Sequence, residues 1–425
     1  MPVFEFPYGD TVLPVKIPAE WIGEVVAPAP LCPAAEPAEL IAAALAQPIS
    51  ASPLGQIARA GQTAAILLDD YTRQTPIHLL LPPVLRALLA GGLQPEDITL
   101  IIALGSHRPM RAGEIAARLS PEVQGRYRVI NIPAENAEAM VYLGATASGV
   151  PVWVLRELVM ADLRIGLGMI TPHMDAGFSG GAKIVLPGAC SLRTVDAFHA
   201  LSATQPENAL GNPEAPLRLE LEQFVARYVP LHFIVNVVLT PEHQVYQCVA
   251  GDALAAHRVG VAHARRAYGA AVSRRYPLVV ANCYPYQQDL WQSMKGLWCG
   301  ELLTQEGGAL TLLTHASEGL GNYPRLPAYI GQNPERLLEE LRSDRTADPK
   351  SAATGILVGR MKQRIRLGLV SQGLRLEHAR VMGFDWYPHP QAAITALAGR
   401  LPAAKRLAWI ALIPQAGVTL PLLPG

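Results

Sequence analysis

The chain has 425 residues, with 35 Lys and Arg balancing 35 Asp and Glu. Without a basic excess there is no electrostatic footprint for nucleic acid or an anionic membrane, so the expected partner is a small molecule. Half the residues are hydrophobic, enough for two or more α/β units with separate cores, yet no uninterrupted apolar run is long enough to span a bilayer.

The opening residues, MPVFEFPYGDTVLPVKI, read as a β-hairpin rather than a basic and apolar export signal, and the expected location is the cytoplasm. Branched runs then alternate with amphipathic stretches. TAAILLDD (63–70) precedes a helix through Leu79–Leu89, DITLIIAL (97–104) precedes EIAARL, and RVINI (128–132) follows. Such alternation predicts an α/β fold with mainly parallel sheets. Further strands are expected at 161–170, 232–239, 277–284, 309–316, 379–384 and 406–413. Helices are expected at 192–203, 216–229, 254–272, 289–303 and 355–369. A long basic helix ends near Ser273, which divides the chain into two α/β domains, 1–273 and 274–425, with an active-site cleft between them. Five cysteines, Cys32, Cys190, Cys248, Cys283 and Cys299, form no CxxC pair, so neither a disulfide framework nor a structural zinc knot is expected.

In open α/β sheets ligands gather beyond the carboxyl ends of strands, where helix amino termini leave N–H groups free. Asp70 and Arg73 follow one expected strand, Ser106, His107 and Arg108 a second, Thr171 and His173 a third, and Tyr284 with Tyr286–Asp289 a fourth. Singly, each signal has an ordinary explanation: a histidine after a strand is commonly a hydrogen-bonded loop residue, and Asp70 suits a helix cap. The passage from Ile170 to Ala200 is denser. It combines His173, a glycine-rich turn at Ser179, Gly180 and Gly181, then Lys183 and His199. The turn lacks the Walker spacing, and no GxGxxG opens a βα unit, so neither an ATP-binding loop nor a conventional nicotinamide site is supported.

Taken in order, DYTRQTP, ALGSHR, PHMDAGFSGGAKIVLPG, His199 and QDLWQSMKG resemble the lactate racemase family that uses a nickel-pincer nucleotide, together with related racemases and epimerases of 2-hydroxy acids. The resemblance covers nearly the whole chain and implies an isomerase. It implies that Lys183 is joined covalently to a pyridinium-3,5-bisthiocarboxylic acid mononucleotide, with Asp70, Ser179, Gly180 and Gly181 beside the cofactor. His199 would complete the coordination of a nickel ion held by the cofactor's two sulfurs and one ring carbon. His107 and His173 match the family's acid/base pair, and Arg73, Trp291, Gln292 and Lys295 match residues near the substrate. Separate biosynthesis proteins would load the cofactor.

The inventory suits the chemistry it implies. The Cα proton of a 2-hydroxy acid is weakly acidic, whereas hydride removal needs only a hydride acceptor and a base for the hydroxyl. One histidine per enantiomer is then the expected count. Arg73 and Lys295 suit the carboxylate. Trp291 stands where the lactate enzyme carries Tyr, which removes a hydroxyl and points to a short aliphatic 2-hydroxy acid, lactate or a close homologue. Two alternatives remain: a racemase or epimerase of gluconate- or malate-type acids, with Arg108 or Arg360 as an added cation, and a nickel-cofactor-binding protein without turnover. Trp298, at helical spacing from Trp291, is expected in the core.

Overall fold

The computed structural model describes residues 2–205, 208–343, 345–400 and 407–424. The chain divides into two compact units: Pro30–Leu201 with Gly211–Ala267, and Met1–Ala29 with Ser202–Leu210 and Tyr268–Gly425. Each carries a six-stranded sheet. In chain order the strands are β1 (Ile22–Val25), β2 (Ala64–Asp69), β3 (Ile98–Ala103), β4 (Arg128–Ile130), β5 (Leu163–Met169), β6 (Phe233–Leu239), β7 (Val245–Gly251), β8 (Tyr276–Asn282), β9 (Thr304–Thr314), β10 (Arg366–Ser371), β11 (Asp385–Trp386) and β12 (Ile410–Ile413). The helices used below are α1 (Ile77–Ala90), α2 (Leu192–Thr204), α3 (Pro216–Tyr228), α4 (Ala255–Tyr268), α5 (Leu290–Leu303) and α6 (Pro349–Arg364).

The first unit has the order β7-β6-β5-β2-β3-β4, parallel except for the antiparallel β6–β7 pair. The chain runs outward from β2 through β3 and β4, then returns to the other side of β2 with β5, so the direction of travel switches between β2 and β5. The central strands are buried on both faces, which explains their near-continuous apolar sequences. On one face α1 places Leu80, Leu81, Val84 and Leu88 against Ile66, Leu100, Leu167 and Val235. Each of these side chains stabilises the packing by roughly 1.5–3 kcal/mol relative to exposure. The opposite face packs Leu67, Ile101 and Ile234 against Ile184, Leu186 and, from α3, Leu217, Leu221 and Phe224.

The second unit is a parallel sheet in the order β11-β10-β9-β8-β12-β1. The expected amino-terminal hairpin is present, with Val3–Tyr8 antiparallel to Thr11–Lys16. Its Phe6 and Val15, with Ile17, pack on Leu278, Val280, Ile410 and Leu412. The first 29 residues therefore belong with the carboxyl-terminal sheet rather than with the rest of the expected 1–273 domain.

Three further expectations are corrected by tertiary context. The strand expected at 379–384 is mostly helix, Leu376–Met382, with Ala379 and Met382 buried at helical spacing and Gly383 closing it at φ 72°. The helix expected over 355–369 begins earlier and ends at Arg364, because Arg366–Ser371 pairs between β9 and β11 as an inner strand. The helix expected through Val272 ends at Tyr268, and Gly269–Ala271 pairs in parallel with Leu420–Leu422. Of the strand expected at 406–413, Arg406 lies outside the described residues, and Ile410–Ile413 forms β12.

Candidate active site

The switch between β2 and β5 is where a crevice forms beyond the strand ends in such a sheet. Asp70 leaves the end of β2, His107 follows neighbouring β3, and His173 follows β5, so three adjacent strands deliver the polar residues. Asp70 is buried and accepts from the Thr72 N–H at 2.9 Å and the Thr72 hydroxyl at 2.6 Å through Oδ1. Its Oδ2 lies 2.5 Å from His107 Nδ1. Burial alone would raise the Asp70 carboxyl, but His107 above all, then Arg73 and Thr72, hold it well below the ordinary carboxylate range. A carboxylate only accepts, so His107 carries hydrogen on Nδ1, and its neutral ring has the lone pair on Nε2. Arg73 Nη1 donates to the Thr72 hydroxyl at 3.0 Å, beside this pair.

His173 has the opposite arrangement. It lies in a two-residue strand paired with Gly177–Phe178, and its Nδ1 accepts from the Asp175 and Ala176 N–H groups at 3.1 and 3.4 Å. A neutral ring there carries its hydrogen on Nε2. Both histidines are partly exposed, 18% for His107 and 19% for His173.

The glycine-rich turn is fastened from below. Gly180 and Gly181 have φ of 76° and 56°, and Gly181 N–H donates to Asn236 Oδ1 at 2.8 Å. A Cβ on Gly180 would stand 2.8 Å from Asn236 Oδ1, and one on Gly181 2.8 Å from Arg218 Nη2. Both glycines thus meet demands from the protein interior. Ser179 is also used within the loop: its hydroxyl donates to Met169 O at 2.8 Å and accepts from Thr171 N–H at 2.9 Å. Arg218, fully buried on α3, donates from Nη1 to the Phe178 and Gly180 carbonyls at 3.2 and 3.1 Å and from Nε to Glu222 at 2.5 Å. Glu222 in turn takes both guanidinium nitrogens of Arg258 at 2.8 Å. His257 Nε2–H donates to Ser179 O at 2.9 Å, and burial followed by Arg218 pushes its pKa well below the ordinary histidine value.

This frame presents Lys183 on a short turn, Gly181–Ile184. Its amine is pushed down to about 8, first by burial and then by Arg73, with Asp175 acting in the opposite sense. His199, 19% exposed on α2, has Nδ1 3.5 Å from Asp175 Oδ2, which lies 3.9 Å from His173 Nδ1. Sequence reasoning missed Thr72, Asp175, Arg218, Asn236 and His257 as functional residues. Asn236 and Arg218 did carry a signal, each being a polar interruption of an otherwise apolar strand or helix face.

In the second unit Asp289 caps α5, its carboxylate accepting from Gln292 N–H at 2.7 Å. Lys295 Nζ donates to Gln292 Oε1 at 2.8 Å and sits 3.2 Å from the Tyr286 ring centroid. Trp291 stacks on Tyr323 at 4.5 Å, and buried Lys350, at the start of α6, lies 4.1 Å from the Trp291 ring. Lys350 and Tyr323 were not singled out from sequence. Trp298 is buried in the core as expected. Arg108 binds Glu114 through two nitrogens at 2.8 and 2.6 Å, and Arg360 donates to the Ala203 and Gln205 carbonyls, so each has a structural role. Among the described residues no helix is long and apolar enough to cross a membrane.

A switch-point site with one imidazole held as an acceptor and another as a donor, beside a buried amine of lowered basicity, defines an α/β enzyme equipped for proton transfer. Residues 8–211 match the lactate racemase N-terminal domain. The lactate racemase of Lactiplantibacillus plantarum is 30% identical over 286 residues, 67% of each chain, and that of Thermoanaerobacterium thermosaccharolyticum is 27% identical over 328 residues, 75% of each. The chain therefore belongs to the lactate racemase family and is an isomerase. The fold is also that of the solved lactate racemase apoprotein from T. thermosaccharolyticum, with TM-score 0.87, 23% identity, and 99% of this chain and 100% of that one covered. A solved protein from Thermotoga maritima is similar at TM-score 0.67 and 20% identity, over 87% of this chain and 96% of that one.

Proposed function

We propose that this protein racemises lactate or a close aliphatic 2-hydroxy acid, using a nickel-pincer nucleotide attached through Lys183. The supporting observation is that His173 and His199 both face Asp175, whose charge also acts on Lys183, in the unit whose switch point holds the Asp70–His107 pair. The side chains fit the group. An amine titrating at about 8 is neutral in roughly a fifth of molecules near physiological pH, far more than an ordinary lysine, and can be acylated, and His199 offers an imidazole nitrogen. Among the described residues no three His, Cys, Asp or Glu side chains form a protein-only metal site, so a nickel ion at His199 would take its other donors from the nucleotide.

When bound, the cofactor supplies a reversible acceptor for the substrate's hydride. His107, entering neutral, takes the hydroxyl proton at Nε2, and Asp70 stabilises the resulting imidazolium. The substrate becomes a planar 2-keto acid. Once the other face of the keto acid is reduced, His173, protonated and with Nδ1 turned away from the two N–H groups that it accepts from when neutral, returns a proton from Nε2 to the hydroxyl oxygen, and the roles exchange for the opposite enantiomer. In the first unit Arg73 is the cation that suits the carboxylate, and in the second the family resemblance gives Trp291, Gln292 and Lys295 to the substrate, with Gln292 holding Lys295 in place. A malate- or gluconate-type substrate is the second reading; Lys350 beside Trp291 favours it, whereas the engagements of Arg108 and Arg360 do not.

The test compares intact mass with and without co-expressed cofactor-biosynthesis proteins, then follows single enantiomers of lactate, 2-hydroxybutyrate, malate and gluconate by chiral chromatography. A mass increment on Lys183 and racemisation of the first two acids are expected. An unmodified Lys183 in active protein would refute the attachment, and turnover without loss of optical purity would refute racemisation.

A further inference from the structure

Asp175 has no part in the mechanism above, yet His173 and His199 both face its carboxylate. The carboxylate is buried, with 6% of the residue exposed. Its Oδ2 stands 3.5 Å from His199 Nδ1 and 3.9 Å from His173 Nδ1, and its charge also reaches Lys183. The turn that carries it is held rigidly. Gly177, two residues on, has φ 68° and packs so tightly that a Cβ would stand 1.8 Å from Asn212 O. Asp175 N–H is itself committed to His173 Nδ1.

We propose that Asp175 is a positioning residue for His199, holding its ring hydrogen on Nδ1 and leaving the Nε2 lone pair as the donor to metal. The assignment of His199 as a metal ligand rests on the function proposed above; the effect of Asp175 on the ring does not. A carboxylate oxygen has only lone pairs to offer. A second lone pair on Nδ1 at 3.5 Å would repel it in a site where water screens poorly, whereas an N–H there is attracted. The separation is longer than a tight hydrogen bond, so the preference is chiefly electrostatic. Histidines that bind metals commonly direct their other N–H to a carboxylate, which fixes the ring and raises its basicity.

The decisive measurement uses apoprotein labelled with 15N-histidine at mildly alkaline pH, with His199 assigned by the signals lost in His199→Gln. Long-range 1H–15N correlation should show the Nδ1–H tautomer in wild type and a shift toward Nε2–H in Asp175→Asn. In cofactor-loaded protein, Asp175→Asn should lose nickel to EDTA about 10–100-fold faster than wild type, with the Lys183 adduct mass unchanged. An Nε2–H tautomer in wild type overturns the proposal even if the variant fails to fold. So does an Asp175→Asn protein that keeps both the wild-type tautomer and the wild-type rate of nickel loss. A wild-type protein with no Lys183 adduct would instead refute the cofactor assignment, and the apoprotein spectrum would still decide the role of Asp175.

Discussion

Replacing Asp70 by Asn should trap His107 in the wrong tautomer, because Thr72 dictates which way the new amide points. In the native site Oδ1 accepts from both the Thr72 N–H and its hydroxyl, while Oδ2 faces His107 Nδ1 at 2.5 Å. An Asn side chain keeps the two Thr72 donors satisfied only by placing its carbonyl on that side, which leaves its NH2 facing Nδ1. The imidazole must then accept at Nδ1 and carry hydrogen on Nε2, where the base is needed. Turning the amide over leaves the partly buried Thr72 donors unmet, at about 1–3 kcal/mol, or roughly 5–150-fold. Loss of the charge-assisted bond to the imidazolium removes about 1.5–3 kcal/mol more. Together these lower kcat by roughly 10²–10⁴-fold, the range usual for general acid/base groups. The assay is chiral conversion by loaded protein, with the Lys183 adduct and nickel content matched to wild type. A variant within about threefold of wild-type kcat would refute the role given to the Asp70–His107 pair.

Four further outcomes are expected. Because the Lys183 amine is pushed from 10.5 down to about 8, its acylation by acetic anhydride in the apoprotein should rise with a midpoint near pH 8; a midpoint above about 10 would contradict the neutral amine. The same shift makes unfolded chains bind more protons between about pH 8 and 10.5, so wild type should gain stability over Lys183→Met as pH rises through that window and show no further change below it. Arg218→Leu should lower the urea-unfolding free energy by about 3 kcal/mol, toward the lower end for a broken buried pair because Arg258 still partners Glu222, and should reduce Lys183 loading; unchanged stability would remove Arg218 from the clamp. Trp291→Tyr should shift the ratio of kcat/KM for 2-hydroxybutyrate and lactate by roughly tenfold, the low end for a single methylene in an apolar pocket, and a wild-type enzyme active only on malate or gluconate would overturn the assignment of Trp291.

Much of the molecule is written locally. The apolar runs at Ala64–Asp69, Ile98–Ala103 and Phe233–Leu239 declare buried parallel strands, and the α1, α2, α3 and α5 segments declare themselves by helical spacing. Those periodicities arise from side chains a few residues apart, so a single sequence contains them. The passage from Ile170 to Ala200 was legible for the same reason: His173, Lys183 and His199 fall on a short strand pair, a turn and a helix that follow one another directly in the chain. Tertiary structure decided what depends on partners distant in the chain. Arg366–Ser371 is a strand because β9 and β11 flank it, and Val3–Tyr8 joins the second unit because its inward side chains fit that core. The glycines of the turn answer to Asn236 and Arg218, and Asp70 meets His107 37 residues later through neighbouring strand ends. Local spacing could name the histidines, but which nitrogen of His107 or His173 holds the hydrogen depends on acceptors and donors that only the folded chain brings within reach.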